Sequence, residues 1–215
     1  MKWLRKTYVA IVMAFLYAPI LVLIVFSFNK SKSRGAWTGF TLSWYQRLFT
    51  NEAIIQSLIN TLVVALISSV LATVIGTLAA IGIRNMGRLS RSVVMNVTYM
   101  PVINPEIVTG VSLMLLFVFV KNAGLQLEFG FVTLVLAHIT FNIPYVILNV
   151  MPKLRQMDVS IYEAAQDLGC SPMQAFFKVV IPEIMPGILA GFLMAVTYSL
   201  DDFIISYFVT GPTSQ

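Results

Sequence analysis

The sequence predicts an all-α integral membrane protein: a polytopic helical bundle of five spans with a sixth missing. Three observations predict it. The chain is 58% hydrophobic with only 11% Asp, Glu, Lys or Arg, and its mean hydropathy is +0.86. Several apolar runs exceed the roughly 18–20 residues that cross a hydrocarbon core at about 1.5 Å per residue. None of them alternates with period two as a membrane barrel strand would, so helices are left to satisfy the backbone in lipid.

Taken in order, the spans cover Tyr8–Phe28, Ser57–Ile83, Ser92–Val120, Phe129–Met151 and Gly187–Val209. The first has a basic start but is long for a signal-peptide core, and no small-x-small cleavage site follows, so it reads as an uncleaved anchor. Residues 1–56 thus form an N-terminal anchor and external loop, in which Trp37, Trp44 and Tyr45 suit the membrane interface. Residues 57–215 form the main transmembrane domain. With the N-terminus inside, nine Lys and Arg fall in inner segments and five in outer ones, a bias that favours this orientation. The +5 charge is scattered over separate loops and makes no nucleic-acid face. Cys170, the one cysteine, can form no intrachain disulfide.

Within the third span, Pro101 and Pro105 in YMPVINPEIV each remove a backbone donor. A broken helix at membrane depth is tolerated where it packs in protein or lines a watery cavity. Glu106 follows the second proline, and two readings stay open: an acid at a helix N-terminus, or a group facing a solute pathway. The fifth span carries Asp201 and Asp202 in SLDDFIISYFV. A carboxylate at the centre of a membrane helix costs about 2.5–3.5 kcal/mol, so the pair belongs in a bundle interior, against a partner or on a watery path, or else nearer the outer interface, where the cost falls. Neighbours lie about 100° apart on a helix, so one of the two can instead cap or pair locally. On the functional reading they give a cationic solute a negative lining. His138, the one histidine, reads as a hydrogen-bonding partner between helices, since no other residues complete a metal set.

Between the fourth and fifth spans, residues 152–186 form an inner loop holding EAAQDLGCSPMQAFFKVVIP, residues 163–182. Good helix formers run to Leu168, Gly169 suits a left-handed C-terminal residue, and Ser171 and Pro172 suit the cap and first position of a second helix. Pro182 is expected to stop that helix. The result is a helix–Gly–helix elbow. Ile161, Ala164, Ala165 and Leu168 make a low apolar face on the first helix, and Met173, Phe176, Phe177 and Val180 make one on the second.

This stretch resembles the EAA loop of binding-protein-dependent ATP-binding-cassette importer permeases, EAA-x3-G-x9-I-x-L-P. Glu163, Ala164, Ala165, Gly169 and Pro182 match, with Val179 and Ile181 in place of Ile and Leu. The resemblance implies a coupling element that docks on a cytosolic ATPase dimer, together with a second permease subunit and an extracytoplasmic substrate-binding protein. From about Ser57 onward, MPVINPEIVTGVSLMLLF, AHITFNIPYVILNVMPKL and LDDFIISYFVTGP are similar to the spermidine/putrescine uptake permeases, in the branch of the second permease subunit. Glu106, Asp201 and Asp202 suit a polycation. A permease of the same fold for an anion or metal chelate, a carrier of another kind, and a membrane enzyme are the alternatives. No G-x4-GK[ST] loop is present, so the chain is expected to bind no cofactor and to leave ATP and Mg to its partner. It is expected in a prokaryotic cell membrane with its N-terminus cytoplasmic. Such permeases have six spans, so an ending a few residues after the fifth predicts a truncated chain.

Overall fold

The computed structural model describes residues 2–31, 35–124 and 127–210. Helices dominate, and the β content among the described residues is one isolated bridge, Asn29 to Phe40. The chain divides after Gln56 into two compact units.

In the first unit, α1 (Lys2–Phe26) carries the first apolar run and α2 (Ser43–Thr50) is a short amphipathic helix. Buried Asn29 organises the loop between them. Its Oδ1 accepts from the Thr38 amide at 2.9 Å, its Nδ2 donates to the Ala36 carbonyl at 2.7 Å, and its own carbonyl accepts from Trp44 Nε1 at 2.8 Å. Phe28 stacks on Phe40 and Tyr45.

The remaining helices are α3 (Glu52–Arg84), α4 (Arg88–Ile103), α5 (Glu106–Asn122), α6 (Phe131–Gln156), α7 (Val159–Asp167), α8 (Pro172–Ala175), α9 (Ile181–Asp201) and α10 (Ile204–Val209). Among the described residues, four helical stretches are long and apolar enough to cross a membrane: Trp3–Phe26, Glu52–Arg84, Phe131–Gln156 and Pro172–Asp201. The bent pair α4–α5 supplies a fifth if it is taken as one span.

That pair departs from a single third span over 92–120: it bends by 108° between Ile103 and Glu106. Pro105 makes the break, since the residue before a proline is pushed out of the helical region, and Asn104 there is extended at ψ 145. Pro101 stays inside α4. The fourth span runs on to Gln156, carrying Pro152 within it, so the inner loop begins at Met157. The fifth span begins well before Gly187 and ends at Asp201, not Val209.

Small residues set how closely the spans approach. The buried face of α3 includes Ser68, Ser69, Ala72, Thr73, Gly76, Thr77 and Ala80, the spacing by which membrane helices bring backbones together. A Cβ on Gly76 would meet Val146 of α6 at 2.7 Å, and one on Gly191 of α9 would lie 3.1 Å from the Val146 Cα. The most extensive packing joins α6 to α9. One apolar cluster, around Val146, Val150, Leu154 and Ile184, occupies the end of the bundle nearest the elbow. The other, around Phe117, Phe141, Ile205 and Val209, occupies the opposite end.

Candidate functional site

Two regions carry the polar residues singled out in the sequence. The first is the elbow. Asp158 caps α7, its Oδ1 accepting from the Ser160 amide at 2.9 Å, and that bond holds the exposed carboxyl below its usual range. After α7, Gly169 adopts φ +90, which only glycine takes without strain. Ser171 then opens α8 with a reciprocal box: its Oγ accepts from the Gln174 amide at 3.3 Å, and its own amide donates to Gln174 Oε1 at 3.0 Å. Pro172 holds the first position.

Pro182 does not stop the second helix. Residues Phe176–Val180 form a π-helical turn that passes directly into α9, with Pro182 in its first turn. A proline ring normally collides with the carbonyl four residues back. The wider π turn, in which the Ile181 amide bonds the Phe176 carbonyl, relieves that crowding and keeps the helix continuous. The second helix of the elbow and the fifth span are therefore one rod from Pro172 to Asp201.

Of the two apolar faces of the elbow, part turns inward. Phe176, Val180 and Tyr162 pack on the core, while Ile161, Leu168, Met173 and Phe177 remain exposed, Leu168 at 88%. Glu163 and Ala164 are exposed beside them, and Ala165 is half-buried.

The second region lies where α9 gives way to α10. Asp202 is in extended conformation between the two helices. Its Oδ1 accepts from the Ile205 amide at 3.1 Å, and its Oδ2 from the Ser206 amide at 2.8 Å and the Ser206 hydroxyl at 2.9 Å. His138 of α6 stands beside it, with Nε2 3.5 Å from Asp202 Oδ2; the two side chains are 3% and 2% exposed. The same Nε2 is 3.2 Å from Ser206 Oγ, while Nδ1 is 2.5 Å from Ser199 Oγ, itself 3.3 Å from Ser68 Oγ on α3. Four helices thus meet in one buried polar chain.

His138, Ser199, Asp202 and Ser206 open onto a cavity of about 430 Å³, whose wall continues through Ser57, Asn60, Thr61 and Tyr207. Asp202 is the one carboxylate on that wall. The structure separates the two aspartates: Asp202 caps α10 and lines the cavity, while Asp201, the last residue of α9, is exposed. Glu106 opens α5 and is exposed. It lies within electrostatic reach of Tyr145, about two turns of α6 from His138. Ser68, Ser199 and Ser206 were not singled out from the sequence. The signal available was the spacing S-x-x-D-x-x-x-S over residues 199–206, the pattern of a carboxylate capping a helix start.

Comparison with known proteins agrees with this geometry. Residues 72–214 match the family described as binding-protein-dependent transport system inner membrane component. The chain is similar to the putrescine transport system permease protein PotI of Escherichia coli K12, at 41% identity covering 92% of this chain and 71% of the relative. It is also similar to the spermidine/putrescine transport system permease protein PotC of the same organism, at 38% identity covering all of this chain and 79% of that one. Among solved structures, it superposes on a chain of a bacterial ABC transporter involved in the import of the acidic polysaccharide alginate. The TM-score is 0.73 at 17% identity, covering 99% of this chain and 79% of the other. The chain belongs to the binding-protein-dependent transport system inner membrane component family, as a permease subunit of an ATP-binding-cassette importer.

Proposed function

We propose that this permease forms the pathway for a polyamine of the putrescine and spermidine kind. The observation that carries the solute assignment is the buried Asp202 carboxylate, which lines a cavity whose neighbouring polar groups are hydroxyls, an amide and an imidazole. A fixed negative charge in low-dielectric surroundings attracts a cation and repels an anion. The two Escherichia coli relatives carry polyamine names. The fold alone leaves the solute open, since its alginate-importing neighbour handles an acidic polysaccharide; the carboxylate favours a cation over an anion here. Glu106 and Asp201, both exposed and outside the lining of that cavity, add to the negative charge available to a cation.

On this reading the N-terminus and the elbow are cytoplasmic. Glu163, Ala164, Ala165 and Gly169, with the exposed Leu168, Met173 and Phe177, present a compact face to a cytosolic ATPase dimer that holds ATP and Mg. Pro182 lies within the rod that leads from that face to Asp202. A force applied at Pro172 moves a continuous helix whose other end is the break at Asp202, so ATPase closure has a stiff path to the cavity. A second permease subunit completes the pathway, and an extracytoplasmic binding protein delivers the solute.

The test is purification of the assembled importer in native membrane lipid, followed by ATPase assay. Putrescine-loaded binding protein is expected to stimulate hydrolysis several-fold over the empty protein. Stimulation by an anionic solute in place of putrescine would overturn the solute assignment. No association with an ATPase would overturn the coupling.

A further inference from the structure

The hydrogen bonds around His138 fix the direction of donation on its Asp202 side. A carboxylate only accepts, so the Ser206 hydroxyl, 2.9 Å from Asp202 Oδ2, donates to it. The Ser206 oxygen is then free to accept, and the group facing it at 3.2 Å is His138 Nε2, which therefore carries the ring proton. On the other side of the ring, Nδ1 shares a hydrogen bond with the Ser199 hydroxyl, a group able to donate or accept. The Ser199 oxygen in turn faces the Ser68 hydroxyl. The Ser68 hydroxyl also donates to the Ala65 carbonyl at 3.3 Å, and polar contacts run unbroken from α3 through α9 and α6 to the carboxylate at the start of α10.

We propose that His138 is a positioning residue for translocation: it ties the packed seam of α3, α6 and α9 to Asp202 and so sets the angle at which α10 leaves α9. Without it, Asp202 keeps its bonds to the α10 amides but loses its tether to α6, so the start of α10 shifts while its far end stays held by the Thr133 hydroxyl, which donates to the Val209 carbonyl at 3.1 Å. Nothing else among the described hydrogen bonds joins Asp202 to α6. The packing of α10 against α5, where Gly110 abuts Ile205 and Phe208, holds the helix against its neighbour but does not orient the carboxylate. The proposal rests on reading the Asp202 cavity as the solute pathway.

The test uses the complete importer in proteoliposomes and measures ATP hydrolysed per radiolabelled putrescine accumulated. A misdirected Asp202 leaves hydrolysis stimulated by loaded binding protein while solute fails to pass, so His138→Leu is expected to raise the ratio about tenfold, the scale of one hydrogen bond to a charged group. His138→Gln, whose amide can donate near the Nε2 position, is expected to recover most of that loss. Ser199→Ala shifts the ratio in the same direction by less, and the His138→Leu/Ser199→Ala double variant is no worse than His138→Leu alone. A role in packing alone predicts otherwise: uptake and hydrolysis fall together with the ratio unchanged, or Gln does no better than Leu. Either result overturns the proposal.

A solute-independent readout accompanies it. With Cys170→Ser as background, Tyr207→Cys on α10 is labelled with a cationic thiol reagent. His138→Leu is expected to change the labelling rate at least about fivefold, within what loss of one charged hydrogen bond allows, and an unchanged rate overturns the tether. Wild-type importer that accumulates no putrescine overturns the polyamine reading alone, and the labelling rate then decides the role of His138.

Discussion

Gly76 and Val146 are in direct backbone-to-side-chain contact: a Cβ at position 76 would stand 2.7 Å from the Val146 Cβ and 2.8 Å from its Cγ1. Val146 is fully buried, and Gly191 closes on it from α9. Overpacking a filled core costs about 1–3 kcal/mol, so Gly76→Ala should lower the thermal unfolding midpoint of the detergent-solubilised importer. Because the obstruction is specific to the Val146 Cβ and Cγ1, Val146→Gly placed with Gly76→Ala should lose less than the sum of the two single variants. A double variant less stable than the sum of its singles would show that the contact is not what limits the seam.

Asp202 combines a helix cap with a charge, and two substitutions separate them. Asp202→Ala removes the acceptor for the Ile205 and Ser206 amides and should cost about 0.5–2 kcal/mol of stability, the usual value of a lost N-cap. Asp202→Asn keeps an acceptor and should lose clearly less. Thermal unfolding of the two variants checks this, and equal destabilisation would mean that the charge, not the cap, holds α10.

The elbow depends on one backbone angle. Gly169 at φ +90 cannot become proline, whose φ is fixed near −65°, and alanine there costs roughly 1–2 kcal/mol. Gly169→Pro should therefore insert and assemble yet lose the stimulation of ATP hydrolysis by loaded binding protein. Glu163→Lys, on the exposed face of α7, should weaken that stimulation without changing the fold. Wild-type stimulation in both would remove the elbow from the coupling path.

Asp158 gives a pH signature outside the membrane. Its carboxyl is held below the ordinary value of 3.8 by the Ser160 amide and hydroxyl. A depressed folded pKa stabilises above the unfolded value and is lost as pH falls through the folded one. The α7 cap should thus be constant from neutral pH down to that ordinary value and weaken only in stronger acid. Amide hydrogen exchange at Ser160 and Ile161 reports it, and exchange that accelerates between pH 7 and 5 would contradict the cap. Asp158→Asn should remove the acid dependence.

Much of this was legible in the sequence because bilayer thickness imposes long apolar runs, and because Gly169, Ser171 and Pro172 each have a local reason to stand where they do. Asp202 is less transparent. An acid inside an apolar run reads as a charge on a span, and no Pro or Gly marks the place where α9 ends; the break comes from a carboxylate bonding amides three and four residues ahead. The π turn at Phe176–Val180 was not legible either. Proline chemistry argued for a stop at Pro182, whereas tertiary packing of Phe176 and Val180 on the core favoured a widened turn. Ser68 and Ser199 are silent in sequence because their partnership spans 131 residues.

The most direct measurement of the account is ATP-driven uptake of radiolabelled putrescine by the complete importer in proteoliposomes, wild-type beside Asp202→Asn. Wild-type vesicles should accumulate putrescine only with ATP inside the appropriate compartment and binding protein outside. Asp202→Asn should lose at least about tenfold of that uptake, the equivalent of about 1.4 kcal/mol, while binding-protein-stimulated hydrolysis persists. Undiminished uptake by Asp202→Asn would contradict the assignment of this carboxylate to the pathway.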